Sequence, residues 1–139
     1  MNVDAGTHQK TAHWNVLIID DDAFVAAVMA EMLRNLGVAQ VTICANGKEA
    51  GVNLMANRVA PDLVLCDLHM PGKDGFQVME ELAATGFRGG VLLVSGQQNH
   101  VLHSASIMAR FHRLNFIGAL EKPVTPEQLR NALTQLKKD

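Results

Sequence analysis

The stretch LVLCDLHMPGKDG, residues 63–75, fixes how the rest of the chain is read. Four apolar residues end abruptly on Asp67 and give way to Pro71, Gly72 and Gly75. A short apolar run bounded by turn formers suits a strand covered on both faces of a parallel sheet, and the Pro and Gly beyond it forbid continuation. The pattern predicts a buried strand that delivers one carboxylate, Asp67, to its carboxyl end. In open parallel sheets that edge is where ligands bind.

On the amino-terminal side, WNVLII at 14–19 reads as a second buried strand, and it ends on Asp20, Asp21 and Asp22. Val25, Val28, Met29, Met32, Leu33 and Leu36 then recur at helical spacing, with Gly37 placed as a C-terminal cap. Residues 40–44 read as a strand and 48–56 as a weaker helix, in which Gly51 costs roughly 1 kcal/mol relative to Ala. On the other side, Phe76, Val78, Met79 and Leu82 form a third helical stripe, and VLLV at 91–94 makes a strand ending on Ser95. A long helix is predicted over 99–114, then a short strand over 117–120 that leads into Glu121, Lys122 and Pro123. Thr125, Pro126 and Gln128 supply an N-cap, a proline at the first helical position and a capping box for a last helix, with Leu129, Ala132, Leu133 and Leu136 inward. Five strands alternating with five helices call for an α/β, doubly wound parallel sheet, because right-handed crossovers place helices on both faces.

With 139 residues the chain is expected to form one domain over 13–139, preceded by a polar, disordered tail over 1–12. A net charge of -2, with no run of more than two Lys or Arg, argues against a nucleic-acid or membrane surface. Cys44 and Cys66 fall in predicted buried strands, where a free thiol acts as a small hydrophobe, so a reducing cytoplasm is the expected setting. No apolar stretch approaches the ~20 residues that a membrane span needs.

Alternation places Asp20 to Asp22, Asp67, Ser95 and Lys122 at the carboxyl ends of strands, on one edge of the sheet. Two carboxylates ~5 Å apart repel by about 3 kcal/mol at an effective dielectric near 20, so converging acids require a cation or raised pKa values. All-oxygen ligands favour Mg²⁺, Mn²⁺ or Ca²⁺, and a site with few carboxylates and a phosphate ligand is typical of Mg²⁺. An Asp can attack phosphorus while the metal, an ammonium and a hydroxyl neutralise the transferred group. Each residue alone has a plainer reading: acids favour helix starts, Asp67 suits a turn, and Ser95 and Lys122 are ordinary. Only their joint placement favours a site. The histidines form no zinc pattern: His8 and His13 lie in the tail, and His100 and His103 share a predicted helix without cysteine or acid at ligand spacing. Met29, Met32, Met79 and Met108 lie on apolar helical stripes and read as core.

The segments VLIIDDD, DLVLCDLHMPGKDG, LLVSG and LEKP, in that order, resemble the receiver domain of two-component response regulators, the CheY-like superfamily, over about 15–136. The resemblance implies a flavodoxin-like (βα)5 sandwich with strand order 2-1-3-4-5. It implies that Asp67 accepts a phosphoryl group from a histidine kinase or histidine phosphotransfer protein. Asp21 would ligate Mg²⁺ directly and Asp20 would help, commonly through water. Asp67 and the His69 carbonyl would complete the protein's share of the metal shell. Ser95 would hydrogen-bond the phosphoryl group, Lys122 would pair with it, and the Lys122–Pro123 peptide would be cis. Such a domain catalyses its own modification and turns over no separate substrate.

Two departures stand out. Ala119 occupies the position three before Lys122 where an aromatic switch residue is common in the family, and 27 positions separate Ser95 from Lys122, several more than usual. The fourth helix is therefore expected to be extended. Its Ile107, Phe111 and Leu114 either fold back into the domain or form an apolar docking patch. The expected partners are an output domain or effector protein, or a homodimer mate through the face of the fourth helix, fifth strand and fifth helix. The extension together with LNFIGALEKP resembles receivers attached to EAL-type cyclic-di-GMP phosphodiesterase domains. Two rival readings stay open. One is a Mg²⁺-dependent haloacid-dehalogenase-type phosphatase using Asp20 and Asp22 as a D-x-D pair; the other is a pseudo-receiver that only binds partners.

Overall fold

The computed structural model describes residues 13–56, 60–67, 75–84, 86–96 and 114–137. The tail over 1–12, His69, and the fourth helix expected over 99–114, apart from Leu114, lie outside them. The strands are β1 (Asn15–Ile19), β2 (Gln40–Cys44), β3 (Leu63–Asp67), β4 (Gly90–Ser95) and β5 (Asn115–Glu121). The described helices are α1 (Ala23–Asn35), α2 (Gly47–Ala56), α3 (Gly75–Ala84) and α4 (Pro126–Lys137).

Local chemistry sets the helix ends. Helix α1 stops because Gly37 takes φ 97°, a conformation that L side chains resist. The Gly37 N–H then donates to Arg34 O at 3.0 Å and the Val38 N–H to Leu33 O at 3.1 Å, which satisfies carbonyls the helix leaves open. Helix α4 opens with the expected capping box: Gln128 N–H donates to Thr125 Oγ1 at 3.2 Å, and Thr125 N–H donates to Gln128 Oε1 at 3.0 Å. The α1 stripe differs from its sequence reading. Its inward face is Ala26, Met29, Ala30 and Leu33, while Val28 is 37% exposed. The two alanines hold the inward face at a spacing of 3 or 4 residues, and that spacing turns Val28 outward.

The five strands form one parallel sheet in the order β2-β1-β3-β4-β5. Strand alternation divides the core. Val16, Ile18, Leu63, Leu65, Leu92 and Val94 pack with α1 and α4, whereas Leu17, Ile19, Val64, Cys66, Val91 and Leu93 pack with α2 and α3. Each fully buried Leu or Ile contributes about 1.5–3 kcal/mol of transfer free energy, so the two layers hold the sheet from both sides. Leu114, for which the sequence left open burial in the domain or an outer patch, is 5% exposed and joins the second of these layers, so burial holds at this residue. Among the described residues no helix is long and apolar enough to cross a membrane.

Candidate phospho-acceptor site at the carboxyl edge

Strand parity explains which side chains meet. Val16 and Ile18 face α1 and α4, and Asp20, next in that alternation, is held in the ladder by its N–H to Cys44 O at 3.0 Å. Leu63 and Leu65 face the same way on β3, and Asp67 continues their row. Asp20 and Asp67 thus end neighbouring strands on one face, 1% and 4% exposed. Asp21 is exposed beside them, and carboxylate oxygens of Asp20, Asp21 and Asp67 all lie within 4.8 Å of one another.

Lys122 reaches this face because β5 carries a bulge. Phe116 pairs with Val91, but Leu92 pairs with Gly118, so Ile117 is an extra residue. Phe116 packs with the α2–α3 layer, whereas Ile117 and Leu120 both pack with the α1–α4 layer, a spacing of three that regular alternation forbids. The shift puts Leu120 and then Lys122 on the face of the two buried acids. Lys122 Nζ lies 3.0 Å from Asp20 Oδ2 and 3.3 Å from Asp67 Oδ2, where it donates a hydrogen bond. The Lys122 N–H donates to Ser95 O at 2.7 Å, tying the ends of β4 and β5 together, and the Lys122–Pro123 peptide is cis. Ser95 is 5% exposed at the end of β4, opposite Glu121. Ala119 is exposed and pairs with Leu93. Trp14 lines a cleft at the amino ends of the strands with Asp62, Gly90 and Asn115, at the opposite edge from Asp20.

The electrostatics follow from this geometry. Burial alone pulls the Lys122 ammonium down, but the carboxylates of Asp20 and Asp67 outweigh it and hold Lys122 above the ordinary lysine range. Asp20 spends Oδ1 on the N–H of Asp22 at 2.9 Å. Its Oδ2 meets the Lys122 ammonium at 3.0 Å as an ion pair. Three carboxylates whose oxygens lie within 4.8 Å of one another, with one ammonium against them, make an all-oxygen group that fits a hard divalent cation such as Mg²⁺.

Four of the expected residues therefore share one locus, Asp20, Asp21, Asp67 and Lys122, with Ser95 at the neighbouring strand end and hydrogen-bonded to it through the backbone. Asp22 is the exception. Its Oδ1 accepts from the N–H groups of Phe24 and Val25, both at 3.1 Å, so it caps α1 and does not pair with Asp20 as the D-x-D reading requires. Sequence reading missed two features, the Asp20–Lys122 ion pair and the bulge. Gly118 inside an apolar strand was the available signal for the second.

Residues 16–134 match the response regulator receiver domain family. Cyclic di-GMP phosphodiesterase RocR of Pseudomonas aeruginosa is 32% identical over 122 residues, which cover 87% of this chain and 31% of that protein. The probable C4-dicarboxylate response regulator DctR of Bacillus subtilis is 33% identical over 127 residues, covering 89% of this chain and 52% of the relative. The chain thus spans from about a third to about half of the length of these two curated relatives. The response regulator protein TrrA of Thermotoga maritima, solved in complex with Mg²⁺-BeF, shares the fold with a TM-score of 0.74 at 20% identity, covering 89% of this chain and 99% of that one. A family match that runs from β1 into α4, over a sheet of the expected order, leads to one conclusion: the chain belongs to the response regulator receiver domain family of two-component signalling.

Proposed function

We propose that this receiver domain is a phosphorylation-dependent switch in which Asp67 accepts a phosphoryl group from a sensor histidine kinase or a histidine phosphotransfer protein. One observation carries the reading. A carboxylate at the end of a buried strand lies 3.3 Å from an ammonium and within 4.8 Å of two further carboxylates, all distant in sequence. An oxygen of Asp67 attacks the phosphorus, and the bond from phosphorus to the donor nitrogen breaks as the new P–O bond forms. Lys122 is held charged by its two acids, ready to pair with the added negative charge. The Ser95 hydroxyl, at the neighbouring strand end, donates to the phosphoryl oxygens. Asp20, Asp21 and Asp67 would hold Mg²⁺ with the His69 carbonyl, whose part rests on the family resemblance. When bound, that ion supplies positive charge against the phosphoryl oxygens. The domain brings the groups for its own modification and turns over no separate substrate.

The signal passes to an output domain or an effector protein. The family resemblance and the similarity to RocR support an EAL-type output, while β5, α4 and the helix expected over 99–114 provide the face for a homodimer. Cys44 and Cys66, both buried and neither in a disulfide, suit a reducing cytoplasm. The test is intact mass after incubation with a small phosphodonor and Mg²⁺. The parent chain should gain one phosphoryl group, Asp67→Asn should gain none, and Asp20→Asn should gain it more slowly. An adduct of equal yield on Asp67→Asn overturns the assignment. Loss with Asp20→Asn alone would point instead to Asp20 as the nucleophile.

A further inference from the structure

The three consecutive acids do different things. Asp22 is exposed and stands outside the group formed by Asp20, Asp21 and Asp67. Its backbone and side chain nevertheless link that group to α1. The Asp22 N–H donates to Asp20 Oδ1 at 2.9 Å, the Asp22 carbonyl accepts from Ala26 N–H at 2.9 Å, and Asp22 Oδ1 accepts from Phe24 and Val25 N–H at 3.1 Å each. We propose that Asp22 is a positioning residue for the metal-binding acids, acting through its cap on α1. This inference rests on the reading of Asp20, Asp21 and Asp67 as the Mg²⁺ ligands.

The chain of constraint runs backwards from the helix. A cap at 22 fixes the first turn of α1 and with it the direction of the Asp22 N–H. That N–H engages one oxygen of Asp20 and so sets the rotation of its carboxylate, leaving Oδ2 toward Lys122 and the other acids. Asp21 lies between two residues whose backbones are both tied, so its exposed carboxylate is presented from a fixed main chain. Without the cap, the turn from 20 to 22 gains freedom, and the cation must order it on binding, which lowers affinity. The acceptor oxygen of Asp22, and not its charge, does the positioning.

Four variants separate the two properties. Asp22→Asn and Asp22→Ser keep a capping acceptor and lose the charge; Asp22→Glu keeps the charge but is a poor cap; Asp22→Ala loses both. Isothermal titration of each full chain with MgCl2 reads affinity directly, with no phosphodonor present. Asn and Ser should bind within about twofold of the parent. Ala and Glu should bind about tenfold more weakly, at the lower end of what loss of an outer support costs a metal site. Rescue by Asn and Ser is the result that a charge effect would not give: loss in Asn, Ser and Ala with binding kept in Glu would overturn the inference in favour of long-range charge. Equal affinity in all four variants, with only the thermal midpoint lowered in Ala, would reduce Asp22 to a structural cap and overturn it as well. No saturable Mg²⁺ binding by the parent chain overturns the metal reading and this inference together. Should Ala fail to fold, Glu poses the same question.

Discussion

Replacing Lys122 by Met keeps the aliphatic stem and removes the ammonium that lies 3.0 Å from Asp20 Oδ2 and 3.3 Å from Asp67 Oδ2. At an effective dielectric near 20 each contact is worth about 5 kcal/mol of gross attraction. Most of it offsets the cost of holding two carboxylates, 1% and 4% exposed, away from water. Removing one partner of a fully dry pair costs roughly 3–5 kcal/mol, because the other charge stays behind uncompensated. The Lys122 side chain keeps 20% of its exposure, so solvent screens part of the interaction and the expected loss is about 3 kcal/mol. Urea unfolding in the presence of a chelator reads this as a lower midpoint at unchanged slope. Adding Mg²⁺ at a hundred times its dissociation constant stabilises a binding-competent fold by about 2.7 kcal/mol. Lys122→Met should respond more strongly than the parent, since the cation no longer competes with an ammonium for Asp20. A second substitution, Asp20→Asn, should recover part of the loss in Lys122→Met, a coupling that a double-mutant cycle measures. If metal-free Lys122→Met unfolded at the parent's urea concentration, this ammonium would not be what holds the two acids in the fold.

Alkaline pH offers an independent check on the same pair. Lys122 titrates above the ordinary lysine value of 10.5 in the folded chain, so its stabilisation is complete below that pH and lost as pH rises through the higher folded value. The stability gap between the parent and Lys122→Met, followed by urea midpoints from about pH 8 to 11, should be constant at first and narrow at the alkaline end. Two glycines should respond in opposite directions in thermal unfolding. A Cβ on Gly89 would meet Pro61 O at 2.7 Å and Asp62 O at 2.8 Å, backbone atoms that cannot swing aside, so Gly89→Ala should cost about 2 kcal/mol. A Cβ on Gly51 meets nothing within 4 Å inside α2, so Gly51→Ala should gain about 0.5–1 kcal/mol.

The three central strands were legible because a sheet buried on both faces needs continuous apolar runs, and VLII, LVLC and VLLV are such runs. Strand ends shifted by a residue or two, since Asn115 and Glu121 join β5 through backbone pairing that hydropathy does not register. The strand order came from the family resemblance and not from periodicity: pairing β1 with both β2 and β3 is a long-range choice. The orientation of α1 was misjudged at Val28 because Ala26 and Ala30, small and easily overlooked, hold its inward face. The effect of the bulge was beyond pattern reading. FIGALEK offers no strict alternation, and the parity of Lys122 depends on which residue the ladder leaves out.

The site shows the same division between chemistry and geometry. Residue types at strand ends were enough to nominate Asp67, Lys122 and the acid run, because only a few chemistries tolerate converging carboxylates. Residue type could not divide the run DDD, since each member is the same amino acid. Parity of β1 sends Asp20 inward to 1% exposure, where its cost of burial is met by Lys122. One residue later the strand has ended, and Asp21 stands in solvent. One further on, the first amides of α1 lack partners, and an acid at that position is worth more as their acceptor than as another negative charge beside Asp20 and Asp21. A fourth carboxylate in the group would add repulsion, which is why the helix start at Ala23 matters to the three acids: it draws Asp22 away from them.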